Sequence, residues 1–245
     1  MLEFKVDDVN LIDIDWKSPI RLNFEKAGRA AAKAFDDMVF GAVAEVGIEV
    51  DRDELIKALA YDRGQYRQEI LDGILDFEIE KGKWAYTYHS RMAEQLPFII
   101  EELKRNPYSR RAVIDIRDWK YDSQTDSPAC LQHIQFFIRD GELDMSVLFR
   151  SNDAVKATFM NAFALICLQE KIAGELGVEV GTYTHRVNSF HAYMNDWDLL
   201  KRYAEDIEEK PDEELTYDYK GEWQEYMDEF KPEIAAMVEE LRGRD

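Results

Sequence analysis

This sequence has few cysteines, few prolines and no long apolar run, and each shortage excludes a class of protein. Two cysteines, Cys130 and Cys167, occur in 245 residues, too few for the disulfide framework of a small secreted domain. No apolar run approaches the roughly 20 residues that a membrane-spanning helix needs, and the N-terminus has no apolar signal-peptide segment. We therefore expect a soluble, cytoplasmic protein that does not bind membranes.

Basic residues are also scarce. The chain carries 31 Lys and Arg against 51 Asp and Glu, a formal net charge of −20. Residues 205–245 hold 16 acidic and 5 basic side chains, so they account for −11 of this charge. A protein that binds nucleic acid gains its affinity by neutralising phosphates, so a nucleic-acid partner is not expected, whereas a small substrate is.

The pattern of apolar residues predicts one α+β domain over residues 1–245, with an acidic helical C-terminal region at about 205–245. The Asp140-Gly141 pair lies between two alternating runs and predicts a β-hairpin. The other predicted elements are helices over 24–47 and 53–80, the second broken near Gly64; a helix ending at Asn106-Pro107; a strand near Val113; a buried helix over 157–177; and a strand over 180–194.

Several polar residues fall at the ends of these elements, and each allows two interpretations. Cys130 precedes the hairpin, where it is either a nucleophile or a buried thiol. Asn161 lies in the first turns of the predicted buried helix. Its amide either caps the helix or bonds within the core, or it pairs with a uracil edge, because an amide both donates and accepts hydrogen bonds. The Arg110-Arg111 and Arg150-Ser151 pairs either bind phosphate or keep the surface soluble.

Five motifs in a fixed order resemble the thymidylate synthase and pyrimidine hydroxymethylase superfamily. They run from Gln95 to Asn195 with few gaps. The motifs are Pro-x-Ser-Arg-Arg at 107–111, Cys130 followed by Gln135-Phe-Phe, Arg150-Ser151-x-Asp153, Asn161, and His191-x-Tyr193. The resemblance implies a thymidylate synthase-like mixed sheet with packed helices.

The resemblance also implies a folate-dependent enzyme that transfers a one-carbon unit from 5,10-methylenetetrahydrofolate to C5 of a pyrimidine mononucleotide, without a metal. Cys130 would attack C6 of the base, and Arg110 and Arg111 would reach the phosphate of the other subunit's nucleotide in a homodimer. The implied catalytic residues are Cys130, Glu69, Asn161, Asp153 and Tyr86, and the implied substrate-binding residues are Arg110, Arg111, Arg150, Ser151, Gln135, His191 and Tyr193.

Departures from thymidylate synthase favour a different product. Leu131 stands where that family has a histidine, and Ala157 stands where it has a glycine. We also expect no counterpart of its closing C-terminal segment. Ser189, two residues before His191, resembles the hydroxymethylases. Because Asn161 suits uracil, the first prediction is a dUMP 5-hydroxymethylase; the alternatives are a thymidylate synthase, a CMP or dCMP hydroxymethylase, and an inactive nucleotide-binding homologue.

Overall fold

The computed structural model describes residues 3–6, 11–15, 52–211 and 224–244. The described residues fall into two compact units, each drawn from several segments. Unit 1 contains those within Met1–Tyr66, Asp153–Asn161 and Phe190–Glu240, and unit 2 contains those within Arg67–Asn152, Ala162–Ser189 and Leu241–Asp245. The prediction of a single domain over 1–245 stays a prediction, and the helix predicted over 24–47 lies outside the described residues.

Helices and strands together give the predicted α+β class. No described helix is long and apolar enough to cross a membrane. The described helices are α1 (Arg52–Asp72), α2 (Phe77–Glu80), α3 (Tyr88–Ala93), α4 (Leu96–Arg105), α5 (Trp119–Asp122), α6 (Thr158–Leu176), α7 (Trp197–Glu209), α8 (Gln224–Glu229) and α9 (Lys231–Gly243). The described strands are β1 (Glu3–Val6), β2 (Leu11–Asp15), β3 (Val113–Asp115), β4 (Leu131–Arg139), β5 (Glu142–Phe149), β6 (Asn152–Asp153), β7 (Glu179–Val187) and β8 (Phe190–Tyr193).

Two four-stranded sheets are present among the described residues, with the strand orders β1-β2-β8-β6 and β3-β4-β5-β7. In the second sheet β3, β4 and β5 pair antiparallel, whereas β5 and β7 pair parallel. The mixed sheet that the sequence predicts is therefore confirmed, together with the hairpin, the strand near Val113, the helix that ends before Asn106 and the buried helix.

The hairpin forms the centre of unit 2. Asp140 and Gly141 both have positive φ, 51° and 86°, as the two central residues of a tight type I′ turn require. Alternate side chains of both strands, such as Phe136 and Phe149, are fully buried. Helix α6 is tied to this sheet by Gln169, whose side-chain amide donates to the Leu143 carbonyl at 2.7 Å.

Two local predictions were wrong. Helix α1 runs through Gly64 without a break, because a single glycine only weakens a helix and does not end it. A Cβ at this position would make ordinary van der Waals contacts, 3.5 Å from Ile234 and 3.6 Å from Met227. The helix ends instead before Gly73, whose φ is +61°. The strand predicted over 180–194 is two strands that belong to different sheets. Strand β7 ends at Val187, and β8 begins at Phe190.

Candidate active site

The hairpin register places Cys130 opposite Arg150. The two-residue turn pairs Arg139 with Glu142, so an unbroken ladder would bring Cys130 opposite Ser151. A register shift between Leu131 and His133 takes up one residue and pairs Leu131 with Phe149. The Arg150 N–H consequently donates to the Cys130 carbonyl at 2.9 Å. Bulges of this kind redirect side chains next to active sites.

The Arg150 side chain is fixed by backbone carbonyls and faces the thiol. Its Nε donates to the Ala129 carbonyl at 3.0 Å and its Nη2 to the Pro128 carbonyl at 2.8 Å. The same Nη2 lies 3.6 Å from Cys130 Sγ. The cysteine is free and half-buried. A positive charge held by backbone carbonyls thus stands beside a half-buried sulfur.

Two tyrosines border the thiol, and a buried ion pair supports one of them. The Leu131 N–H donates to the Tyr88 hydroxyl at 3.3 Å, and burial, with the nearby Cys130, raises the pKa of Tyr88 to about 12. The Arg91 guanidinium stacks 3.6 Å from the centre of the Tyr86 ring and binds Asp122 at 2.9 and 3.1 Å. Burial also raises the pKa of Tyr86. Both hydroxyls are therefore protonated at neutral pH.

Glu69 is a buried carboxylic acid near the end of α1. Its Oε2 accepts from the Leu75 N–H at 2.8 Å, while its Oε1 is buried and has no hydrogen-bond partner among the described residues. Burial raises the pKa of Glu69 to about 7, and the neighbouring Asp76 adds to the increase. A carboxyl group that changes charge near pH 7 suits general acid–base catalysis.

Three residues that sequence reasoning missed lie beside Glu69. Asp76 Oδ1 accepts from the Thr87 hydroxyl, and Asp76 Oδ2 lies 2.7 Å from His89 Nδ1. Gly73 leaves room for this arrangement, since a Cβ there would stand 2.0 Å from His89 Nδ1. Thr87 also caps α3 through a capping box with Ser90, and the Thr-x-x-Ser spacing resembles the sequence signature of such a box.

The loop that carries the paired arginines is anchored by a buried carboxylate. Glu102 accepts from Ser109 at 2.6 Å and from Arg105 at 2.5 Å, and these hydrogen bonds lower the pKa of Glu102. Arg111 lies 3.8 Å from the same carboxylate, with 68% of its side chain exposed. Arg110 is exposed, and its carbonyl accepts from Gln135 at 3.2 Å. Gln135 therefore orients this loop.

A second polar group in unit 2 joins Asn152, just after Arg150, to two residues of β7. The buried Asn152 Oδ1 lies 3.1 Å from His185 Nε2, and His185 Nδ1 accepts from the Tyr183 hydroxyl at 2.8 Å. The His185 ring stacks on Phe149 at 4.6 Å. Burial lowers the pKa of His185 to about 3. These contacts fix the backbone next to the half-buried Ser151.

The remaining predicted residues lie in unit 1. Asn161 is buried, and its Oδ1 accepts from the Tyr66 hydroxyl. Asp153 Oδ1 accepts from the backbone N–H groups of Val155 and Lys156 at 2.9 and 3.3 Å, which makes it a turn-forming residue. The buried His191 meets the exposed Tyr193 edge to face at 5.5 Å.

The structure thus brings some predicted residues together. Within unit 2, Cys130 lies with Arg150, and Gln135 with Arg110. Glu69 and Tyr86 sit there with partners that the motifs did not indicate, such as His89 and Arg91. Within unit 1, His191 lies with Tyr193, whereas Asp153 and Asn161 each contact residues outside the motifs. The catalytic and substrate-binding roles of all these residues stay predictions.

Comparisons with known proteins agree with the motif order. A family model described as "Thymidylate synthase" matches residues 60–238. A protein of Methanocaldococcus jannaschii named "Putative thymidylate synthase" is 42% identical over 138 residues, which cover 50% of this chain and 62% of that protein. "Thymidylate synthase 1" of Bacillus spizizenii is 31% identical over 156 residues, which cover 62% of this chain and 54% of that protein.

Among solved structures, the thermostable thymidylate synthase A from Bacillus subtilis is 30% identical, with a TM-score of 0.43, and the match covers 45% of this chain and 40% of that one. This chain spans less than two thirds of the length of each of these relatives.

Proposed function

From the premise that this chain belongs to the thymidylate synthase family, we propose that it transfers a one-carbon unit to C5 of the uracil nucleotide dUMP, with Cys130 as the nucleophile. The observation that carries this proposal is the 3.6 Å approach of Arg150 Nη2 to Cys130 Sγ. The guanidinium is anchored on two backbone carbonyls, which hold it beside the sulfur.

The chemistry requires a thiolate and a proton carrier. The thiolate adds to C6 of the pyrimidine, which makes C5 electron-rich, and C5 then forms the new carbon bond. The co-substrate 5,10-methylenetetrahydrofolate supplies the one-carbon unit. Glu69 exchanges protons with the base, a role that its pKa of about 7 supports. The Asn161 amide, oriented by Tyr66, pairs with the uracil edge.

The phosphate site uses arginines from both subunits of a homodimer. Arg150 Nη1 makes no hydrogen bond to a described residue, which leaves it for a phosphate oxygen or a neighbouring group. Arg110 and Arg111 lie on an exposed, anchored loop and serve the partner's nucleotide. The half-buried face of the second sheet, which includes Phe137 and Leu148, supports a two-fold contact between copies.

Subunit complementation tests this shared site. Cys130→Ser and Arg110→Ala are each expected to inactivate a homodimer, but a heterodimer of the two retains one site with both intact residues. Random exchange of subunits should therefore restore about a quarter of the wild-type activity. If each chain uses its own arginines, the mixture stays inactive. Sedimentation of the mixture confirms that dimers are present in either case.

For the product, we propose a hydroxymethyl group. Leu131, which replaces a titratable histidine next to the nucleophile, is fully buried, and Ala157 and Ser189 depart from the synthase pattern in the same direction. The second candidate is the methyl product of a thymidylate synthase, which the names of the relatives favour.

One assay distinguishes these functions. The full chain is incubated with dUMP and 5,10-methylenetetrahydrofolate, and the nucleotide and folate products are separated by chromatography. 5-Hydroxymethyl-dUMP with tetrahydrofolate supports the hydroxymethylase, whereas dTMP with dihydrofolate supports the synthase. Product from dCMP or CMP but none from dUMP would indicate a cytidylate hydroxymethylase. Nucleotide binding without any product would overturn the enzymatic proposal in favour of an inactive nucleotide-binding homologue.

A further inference from the structure

We propose that Glu102 is a positioning residue for the phosphate site of the partner subunit, because it sets the direction of Arg111. The inference rests on the proposed function, since it assumes that Arg110 and Arg111 bind the nucleotide of the other subunit. It assigns a role to a carboxylate that lies outside the motifs of the family resemblance. Glu102 would act through Arg111 and would not touch the nucleotide.

Glu102 is a buried carboxylate in the last turn of α4. Only 4% of the residue is exposed. Its Oε2 accepts from Arg105 Nη2 at 2.5 Å, and its Oε1 accepts from the Ser109 hydroxyl at 2.6 Å. The bonds from Arg105 and Ser109 lower the pKa of Glu102, so the carboxylate keeps its charge at neutral pH.

Ser109 connects this carboxylate to the backbone of Arg111. The Ser109 hydroxyl donates its proton to Glu102, and the same oxygen accepts from the Arg111 N–H at 3.2 Å. A hydroxyl has one proton and two lone pairs, so it can serve both partners at once. Ser109 is itself buried. The main chain at Arg111 is therefore held by two hydrogen bonds in series, which begin at Glu102.

The same carboxylate attracts the Arg111 side chain without occupying its hydrogen-bond donors. Arg111 Nη1 lies 3.8 Å from Glu102 Oε1, and the guanidinium carbon lies 5.7 Å from the centre of the Phe98 ring. Neither contact is a hydrogen bond, and the guanidinium donates to no other described residue. Its N–H groups are therefore available for a bidentate contact with phosphate.

Positive charge is concentrated in this part of the chain. Lys104, Arg105, Arg110 and Arg111 all fall within residues 104–111. Like charges this close repel one another, and Glu102 lies within 4 Å of two of them. The far side of the loop is fixed independently, because Gln135 donates to the Arg110 carbonyl at 3.2 Å. Removal of the Glu102 charge should therefore misdirect Arg111 while the loop stays in place.

A matched pair of glutamine variants tests this role on the full chain. Glu102→Gln should raise KM for dUMP about tenfold and change kcat less than about twofold, because phosphate contacts are equal in the ground state and the transition state. Glu101→Gln removes the same charge from an exposed neighbouring position and should leave KM unchanged. Equal increases in KM for the two variants would make the effect one of net charge and would overturn the inference.

A ligand without a phosphate gives a second readout. Deoxyuridine lacks the group that Arg111 is expected to bind, so it should inhibit Glu102→Gln and wild type equally. A purely structural role for Glu102 would weaken dUMP and deoxyuridine alike, which would overturn the inference. Ser109→Ala breaks the link to the Arg111 backbone and should also raise KM for dUMP. An unchanged KM in that variant would exclude the route through Ser109.

Subunit exchange shows which subunit Glu102 serves. In a mixture of Glu102→Gln with Cys130→Ser, each heterodimer has one site that combines the intact Cys130 of one chain with the intact Glu102 and arginines of the other. About a quarter of all sites should therefore show the wild-type KM. If every active site keeps the raised KM, Glu102 acts within its own subunit and the inference is overturned.

The failure of this inference can be separated from that of the proposed function. The mixture of Cys130→Ser with Arg110→Ala tests the shared site itself, and an inactive mixture would overturn that site and the role of Glu102 with it. If that mixture is active but Glu102→Gln leaves KM for dUMP unchanged, only the role of Glu102 is overturned. Denaturant unfolding and sedimentation confirm that each variant is folded and dimeric.

Discussion

Cys130 and Glu69 both lie in unit 2, but different kinds of interaction position them. Cys130 and its partner Arg150 are brought opposite each other by a hairpin ladder, and the guanidinium is held by carbonyl groups of the backbone. Glu69 accepts one hydrogen bond from the backbone N–H of Leu75, and it lies near the charged side chains of Asp76 and His89. Asp76 is itself joined to Thr87 and His89. Cys130 is thus placed by main-chain register, whereas the surroundings of Glu69 include a network of side chains.

This difference predicts how each region responds to substitution. A backbone framework survives the loss of one side chain, because its hydrogen bonds remain. A buried side-chain network loses the contribution of several members when one is removed, because partners are left unsatisfied. Substitutions near Cys130 should therefore change chemistry without changing structure, and substitutions near Glu69 should change both.

The largest effect is expected for Cys130→Ser. The variant should lose all measurable product while it binds dUMP with nearly wild-type affinity, because the bonds of Arg150 to Pro128 and Ala129 do not involve the sulfur. Turnover and calorimetric titration with dUMP measure the two quantities separately. Retained turnover would contradict the role of Cys130 as nucleophile, and lost affinity would contradict a framework made by the backbone.

Glu69→Gln should reduce turnover by roughly 10²–10⁴-fold and increase stability at pH 8. The folded pKa of about 7 lies above the ordinary glutamate value of 4.5, so the folded state holds the proton more tightly and loses stability as pH rises from 4.5 through 7. Glutamine removes this loss, which is worth about 2 kcal/mol after partial solvation is allowed for.

Two measurements check the Glu69 prediction. If Glu69 acts as a base, wild-type kcat/KM should rise with pH through about 7. Denaturant unfolding of both proteins at pH 5 and pH 8 should show the glutamine variant gaining relative stability only at the higher pH. An active glutamine variant would exclude Glu69 as the acid–base group, whatever its stability.

Gly73→Ala should disrupt the network beside Glu69, and Gly82→Ala provides its control. Both glycines have positive φ, +61° and +70°, so alanine costs about 1 kcal/mol of backbone strain at either site. Only at position 73 would the new Cβ meet His89 and Asp76, whereas at position 82 nothing lies within 4 Å.

Gly73→Ala should therefore be less stable than Gly82→Ala by at least about 1 kcal/mol, and it alone should lose activity. Denaturant unfolding and steady-state turnover of the two variants provide this comparison. Equal losses would show that the space at Gly73 does not matter to the Asp76–His89 contact.

The same contrast explains what the sequence can predict. The Asp-Gly turn places the ends of both hairpin strands together, so the proximity of Cys130 to the Arg150-Ser151 pair follows from the sequence. The register shift after Leu131 does not, although it decides that Arg150 rather than Ser151 faces the thiol. A bulge depends on how neighbouring strands pair, which a single segment does not reveal.

The network beside Glu69 was less accessible to prediction, because it joins residues that no local period connects. Asp76 and His89 lie 13 positions apart in the sequence, Asp76 just before α2 and His89 within α3. The sequence also predicts a helix break near Gly64, but a single glycine only weakens a helix, and α1 continues through it. The family resemblance implies roles for Glu69 and Tyr86, but it does not indicate the side chains that lie beside them.

The smallest expected effect on turnover concerns His185, a buried side chain in the region whose position is set by the backbone. Burial holds its folded pKa at about 3, against an ordinary histidine value of 6.5. Below pH 6.5 the unfolded chain binds a proton that the folded chain does not, so this site lowers stability by up to about 1.4 kcal/mol per pH unit as pH falls toward 3. His185→Gln should reduce that acid slope, and turnover at neutral pH should remain close to wild type.

Unfolding at pH 7, 6 and 5 measures the slope, and His133→Gln, at a half-exposed histidine of the same sheet, serves as the control. A large loss of turnover at pH 7 in His185→Gln would mean that Asn152 and Arg150 depend on this ring, and that the region around Cys130 is not positioned by its backbone alone.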